Sequence, residues 1–215
     1  MVPSLLKIKG ALAENEVKDF LQSFDINTTT YYVITSRKEI ESLDLSYPVA
    51  LKVCSRKILH KTDVNGVKLH IESKKELLNV FDDFHTRFPN EKLLIDEMVE
   101  KGVEAIIGLV QDPTFGLCIM FGVGGIYTEL YQDVSFRVIP IDLYDANEMI
   151  DEVKGKKLLE GFRNIKASKK EVIKLLLKVS SIGETYIDHI DQMDLNPVFV
   201  YEDGICVVDA KLIVK

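Results

Sequence analysis

Pro48-Val-Ala-Leu-Lys-Val-Cys-Ser-Arg-Lys-Ile-Leu-His-Lys-Thr-Asp-Val-Asn-Gly-Val-Lys68 is the stretch on which the reading of this chain turns. Its opening, Val49 to Cys54, is apolar apart from Lys52, as expected of a buried strand. A polar loop then presents His60 among Lys57, Lys61 and Asp63, and Gly66 starts a second strand, Val67 to Ile71. A cation, a nucleophile and a pliable loop are thereby brought close together. Ammonium groups neutralise phosphate oxygens and a neutral imidazole can accept a phosphoryl group, so the combination suits phosphate chemistry. Taken singly the residues say less: Lys52 reads equally well as an edge-strand lysine snorkelling to water, and His60 as an ordinary loop histidine.

Outward from this stretch, helices and strands alternate in an α+β pattern. Val17, Phe20, Leu21 and Phe24 fall on one face of an amphipathic helix from about Glu14. Ser36 with Glu39, Ser73 with Glu76, and Ser168 with Glu171 have capping-box spacing and predict three more helices. The last carries the longest apolar stripe, Val172 to Tyr186, and a further helix is predicted over Asp145 to Val153. Strand signals cover Tyr31 to Ile34, Leu93 to Met98, Glu104 to Val110, Leu117 to Phe121, Phe136 to Ile141, Met193 to Tyr201 and Ile205 to Val208. Asp112-Pro113 and Glu202-Asp203-Gly204 are turn signals and predict two antiparallel hairpins. No Pro/Ser-rich linker divides the chain; the best hinge is Glu97-Met98-Val99, where an apolar strand meets the charged bend Glu100-Lys101-Gly102.

With 215 residues, 47% of them hydrophobic, the chain can bury a substantial core. A formal charge of -7 argues against a broad electrostatic footprint on nucleic acid or anionic lipid, so an anionic ligand must be met by a local cationic site. Cys54, Cys118 and Cys206 are far apart and form no CxxC pair, which gives no support to a disulfide framework or a zinc cluster. Ala11-Leu-Ala13 looks like a cleavage site, but Lys7 and Lys9 interrupt the apolar run that a signal peptide needs. The apolar run Phe115 to Tyr127 is too short and glycine-rich to span a bilayer. The expectation is a cytoplasmic protein with no nucleic-acid or membrane partner.

The C-terminal hairpin yields a geometric expectation by counting. If its turn centres on Asp203, residues whose numbers sum to about 405 face each other, placing Asn196 opposite Asp209 and Asp194 opposite Lys211. Period two puts Asp194 and Asn196 on one face. Two carboxylates and an amide then converge, a donor set that suits a hard cation such as Mg²⁺ with substrate phosphates completing its shell; the alternative is a solvated sheet face. Phe121-Gly-Val-Gly-Gly-Ile126 follows a strand but lacks dinucleotide-fingerprint spacing, so it reads as a close backbone approach or a tight bend. His70, His85 and His189 are assigned no chemistry.

Lys52, the loop Ile58 to Lys68, the segment Phe121 to Glu129, Asp194-Leu-Asn-Pro197 and Val208-Asp-Ala-Lys211 together resemble the ATP-grasp β subunit of ADP-forming acetyl-CoA synthetases, relatives of succinyl-CoA synthetase. The resemblance runs from about Glu14 to Ile213. It implies one ATP-grasp domain over 1–215, with a smaller lobe at 26–97, a larger lobe at 1–25 plus 98–215, and a nucleotide cleft between them. It implies that Lys52 contacts nucleotide phosphates, with Gly66 in the same cofactor-binding set, that Glu97, Met98 and Val99 hold adenine, and that Glu104 binds ribose. It gives Asp194, Asn196 and Asp209 to Mg²⁺, and His60 to phosphoryl transfer between an acyl phosphate and ADP or ATP. Asn65 departs from the family by standing where a second glycine is usual. So does Phe24-Asp-Ile-Asn27, which replaces a glycine-proline turn. Nothing in the chain looks like a CoA-binding domain, so the resemblance implies a CoA-binding α subunit as partner, met by the glycine-rich segment and the His60 loop. The rival readings are a non-catalytic ATP-binding regulatory module and a free-standing carboxylate–amine ligase.

Overall fold

The structure, a computed structural model, describes residues 2–124, 128, 132–161 and 166–215. Its elements begin with β1 (Gly10–Ala11), α1 (Glu14–Gln22), β2 (Tyr31–Ile34), α2 (Arg37–Ser42), β3 (Val49–Cys54), β4 (Val67–Ile71), α3 (Lys74–Arg87) and β5 (Lys92–Glu97). They continue with β6 (Val103–Asp112), β7 (Gly116–Val123), β8 (Val134–Val138), α4 (Leu143–Glu152), α5 (Lys169–Thr185), β9 (Ile190–Val200), β10 (Ile205–Val207) and β11 (Ala210–Val214). Short 3-10 helices lie at Ser4–Lys7 and Lys154–Leu158. By contacts the chain divides into two compact units, one of Met1–Leu12, Val17–Thr28 and Lys101–Lys215, the other of Ala13–Glu16 and Thr29–Glu100.

In the unit of Thr29–Glu100 the antiparallel sheet runs β2-β5-β3-β4. β3 is an interior strand buried along its whole length, which is why its sequence is almost continuously apolar. Period two splits its side chains between two faces. Val49, Leu51 and Val53 join Leu93, Ile95, Leu77, Phe81 and Phe84 in the core under α2 and α3. Cys54 and Leu94 point the other way and pack with Ala13, just before the first turn of α1. Lys52 and Asp96 belong to this second face, because Lys52 pairs with Leu94 and Asp96 with Ala50.

In the unit of Lys101–Lys215 one sheet runs β1-β11-β9-β6-β7-β8, with β10 also paired to β9. Its inner face carries Ala105, Ile107, Leu109, Met193, Leu195 and Val198 and packs against α4, α5 and the apolar side of α1. Val17, Phe20 and Leu21 are the buried stripe of α1, as the helical spacing predicts. The hairpin count holds: Lys211 faces Asp194, Ala210 faces Leu195, and the Asn196 N–H donates to the Asp209 carbonyl at 3.1 Å. The register slips by one only at the Ile213/Val214 bulge.

Several boundaries differ from expectation, each for a local reason. The helix expected over Asp145 to Val153 starts at Leu143, because Asp142 caps it by accepting from the Asp145 N–H at 2.9 Å. β8 ends at Val138 rather than Ile141, two residues short of Pro140, which has no N–H to give to a ladder. β6 extends to Asp112, whose Oδ1 accepts from the N–H groups of Thr114 and Phe115 and so closes the hairpin turn. The boxes expected at Ser73 and Ser168 close only on the hydroxyl side. There each serine accepts from the N–H three residues on, while the Glu76 carboxylate accepts from Glu72 N–H and Glu171 pairs with Lys174.

Candidate functional site

One sheet face of the larger unit gathers the proposed metal and ribose residues. Odd-numbered Ala105, Ile107 and Leu109 of β6 enter the core, so Glu104, Ile106 and Gly108 turn to the opposite face. Gly108 faces Asp194 and Glu104 faces Phe199 across the β6–β9 ladder. Directly opposed antiparallel residues share a face, so Asp194, Asn196, Asp209 and Glu104 lie on one surface. Four residues of strand separate Glu104 from Gly108, about 13 Å. Gly108 leaves the surface low beside Asp194, since a Cβ there would sit 2.8 Å from the Met193 carbonyl. A hollow of about 510 Å³ adjoins this face, lined by Asp194 and Asn196 together with Ile106, Met120 and Phe136.

The donor set fits Mg²⁺. Two carboxylates and an amide are hard oxygen ligands, half-buried, and Mg²⁺ fills its other positions with water and phosphate oxygen. Among the described residues no group of three or more His, Cys, Asp or Glu is arranged to hold a metal. Lys211 Nζ stands 4.0 Å from Asp194 Oδ2.

In the smaller unit Lys52 is 5% exposed, which excludes a snorkelling edge lysine. Its Nζ donates to Asp96 Oδ2 at 2.6 Å and to Glu14 Oε1 at 2.8 Å. Glu14 Oε2 accepts from Lys61 Nζ, and Asp96 Oδ1 accepts from the Thr29 hydroxyl. All five side chains are buried. Burying a charge costs several kcal/mol unless it is paired, and here two lysines match two carboxylates. Sequence alone gives Lys61 only a place in the loop and Glu14 only the start of a helix, and does not single out Asp96. A usable signal was present, because Asp96 interrupts an apolar strand just as Lys52 does, with opposite charge.

His60 is exposed, one residue from buried Lys61. The loop beyond it folds on itself: Asp63 N–H donates to the His60 carbonyl, Asn65 N–H to Thr62, and Gly66 N–H to Lys61 at 2.7 Å. Asn65 takes φ 51°, a left-handed conformation that asparagine tolerates. A Cβ on Gly66 would lie 3.0 Å from Val53 Cγ2 and 3.1 Å from the Lys61 carbonyl, so glycine is needed for the close approach. Before His60, the Ser55 hydroxyl accepts from Lys57 and Ile58 N–H, and Arg56 pairs with Glu16. That guanidinium holds the Glu16 carboxyl below its ordinary value of 4.5.

In the segment Glu97-Met98-Val99, Glu97 N–H donates to Thr30 and Met98 N–H to Pro48. Met98 Sδ accepts from His70 N–H at 3.3 Å. Of the glycine-rich segment, Gly125, Ile126, Tyr127 and Glu129 lie outside the described residues. The three cysteines are buried, and burial pushes the thiols of Cys54 and Cys118 up.

The family model of the ATP-grasp domain matches residues 5–214, and the chain belongs to that family. The β subunit of acetate–CoA ligase (ADP-forming) II from Pyrococcus furiosus is 39% identical over 219 residues, covering 96% of this chain and 93% of that one. Acetate–CoA ligase (ADP-forming) II of Archaeoglobus fulgidus is 41% identical over 205 residues; the match takes in 94% of this chain but only 30% of that protein. Among solved structures, acetyl-coenzyme A synthetase 1 of Ca. Korarchaeum cryptofilum with coenzyme A and Mg-AMPPCP has its phosphohistidine segment pointing towards the nucleotide-binding site. It superposes with TM-score 0.81 at 39% identity, over 95% of this chain and 93% of that one. The same protein with coenzyme A, acetyl-coenzyme A and a phosphorylated phosphohistidine segment in its site I orientation gives 0.83 at 38%, covering 96% and 94%. No described helix is long and apolar enough to cross a membrane.

Proposed function

We propose that the chain is the nucleotide-binding β subunit of an ADP-forming acyl-CoA ligase and works with a separate CoA-binding α subunit. What carries the reading is the single sheet face holding Glu104, Asn196 with Asp209, and Asp194, in a chain that matches a β subunit of that activity over nearly its whole length. On this reading Glu104 takes the ribose hydroxyls, and Asp194, Asn196 and Asp209 hold Mg²⁺, which offsets phosphate charge when bound. Lys52 is the cation kept ready for nucleotide phosphate, its ammonium fixed by Glu14 and Asp96. Gly66 belongs to the same set through its close approach to the loop. Adenine falls to the backbone of Glu97, Met98 and Val99.

His60 carries the phosphoryl group. A ring nitrogen attacks the phosphorus of an acyl phosphate made on the partner; the N–P bond forms, the P–O bond breaks and the carboxylate leaves. A terminal phosphate oxygen of ADP then attacks the same phosphorus, the N–P bond breaks, and ATP and neutral imidazole result. Exposure of His60 beside a buried anchor suits a group that meets two reactive centres in turn.

Reconstitution tests the reading. With the α subunit, acetyl-CoA, ADP and phosphate are expected to give ATP, and neither chain alone to do so. A carboxylate–amine ligase predicts ADP formation from ATP with an acid and an amine and without CoA. A regulatory module predicts nucleotide binding with no turnover in any combination.

A further inference from the structure

Both limbs of the His60 loop are tied to the first turn of α1. Arg56 bonds Glu16 on the exposed side, and Lys61 bonds Glu14 on the buried side. The two ties are unequal. The Arg56–Glu16 pair has side chains 40% and 26% exposed and is screened by water, whereas Lys61 and Glu14 are 8% and 2% exposed. The chain between them holds His60.

We propose that Glu14 is a positioning residue for the phosphoryl relay. It acts through Lys61 to hold the root of the His60 loop, and through its other oxygen it fixes Lys52. The inference rests on the relay role of His60 set out above. Its geometric basis is simple. Consecutive Cα atoms are about 3.8 Å apart, so while Lys61 is held the His60 Cα can travel no more than about 7.6 Å. Gly66 reinforces the anchor, because its N–H is bonded to the Lys61 carbonyl while its own carbonyl accepts from Val53 N–H at 2.8 Å. A longer excursion of the imidazole requires Lys61 to leave Glu14. Glu14 keeps Lys52 when that happens, so it retains a counter-charge and the anchor is reversible. One carboxylate thus couples the reach of the nucleophile to the position of the phosphate-facing cation.

The test uses the full chain with its CoA-binding partner and compares wild type with Lys61→Met, Lys61→Arg and Glu14→Gln. Amide exchange of residues 58–66 is expected to rise about tenfold in Lys61→Met with β3 and β4 unchanged, and to return towards wild type in Lys61→Arg. In steady state Lys61→Met is expected to lower kcat about tenfold with the KM for ADP within about twofold, whereas Glu14→Gln also raises that KM, through Lys52. Exchange in 58–66 equal to wild type, or a rise spread evenly over β3 and β4, overturns the anchor. Absence of phosphohistidine in the wild-type complex instead removes the relay on which the inference rests, and the exchange data separate that failure from a failure of the anchor.

Discussion

Replacing Lys52 by methionine keeps an unbranched side chain one heavy atom shorter and removes the charge from a site where little water can compensate. The Lys52 side chain is 6% exposed, Glu14 2% and Asp96 4%, so the pair energies need no large discount for screening. Two charge-assisted hydrogen bonds are lost, at 2.6 and 2.8 Å, each worth about 1.5–3 kcal/mol. Asp96 keeps the Thr29 hydroxyl and Glu14 keeps Lys61, so the carboxylates are left partly compensated. The expected loss is about 3–5 kcal/mol, as for other buried pairs with one partner removed. For a chain of this length that lowers Tm by about 10 °C. With no tryptophan in the sequence, far-ultraviolet circular dichroism is the appropriate signal for thermal and urea unfolding. Asp96→Asn made alone and together with Lys52→Met completes a cycle, and a coupling of about 1–3 kcal/mol is expected. A Lys52→Met variant within about 0.5 kcal/mol of wild type would refute the buried network.

Asp194→Asn removes a carboxylate from the metal face and is expected to raise the Mg²⁺ concentration for half-maximal activity at least about tenfold, read by metal titration of the reconstituted reaction; an unchanged titration removes Asp194 from the ligand set. Gly66→Ala forces a methyl to 3.0 Å from Val53 Cγ2 and 3.1 Å from the Lys61 carbonyl, and a loss of about 1–3 kcal/mol in urea unfolding is expected; a neutral result would mean that the loop yields easily. Glu16, held below 4.5 by Arg56, contributes stability that is present above pH 4.5 and is lost as pH falls through the depressed value. Loop exchange at residues 56–58 is therefore expected to rise on acidification in wild type but not in Glu16→Gln, and identical profiles in the two would remove the pair from the account.

The readable parts were those in which one local rule dominates. β3 falls where composition puts it, because a strand buried on both faces leaves a nearly unbroken apolar run, and β4, a largely exposed edge strand, begins at Val67 just after the Gly66 signal. The Asn196–Asp209 and Asp194–Lys211 pairings follow from counting about one turn, since antiparallel register has a single free parameter. β1, only two residues long, and β11 were not read as separate strands: a pairing so short leaves no period, and β11 follows a break in the ribbon after Val207. The ion cluster was harder still. Lys52 meets Glu14 and Asp96 across 38 and 44 residues of sequence, and nothing local in the sequence records that the first turn of α1 covers this face of the sheet. Periodicity shows that Lys52 and Asp96 interrupt buried strands, but which carboxylate answers which lysine is a property of the folded chain.

The most direct measurement is the fate of phosphorus on the imidazole. The chain, its CoA-binding partner and Mg-ATP are mixed without acid or CoA, and the protein is examined by mass spectrometry under alkaline and acidic conditions. The account predicts one phosphate, stable to alkali, lost in acid, mapped to His60 and discharged to ADP. Full turnover by a His60→Asn variant, or a phosphate carried on some other residue, would contradict it.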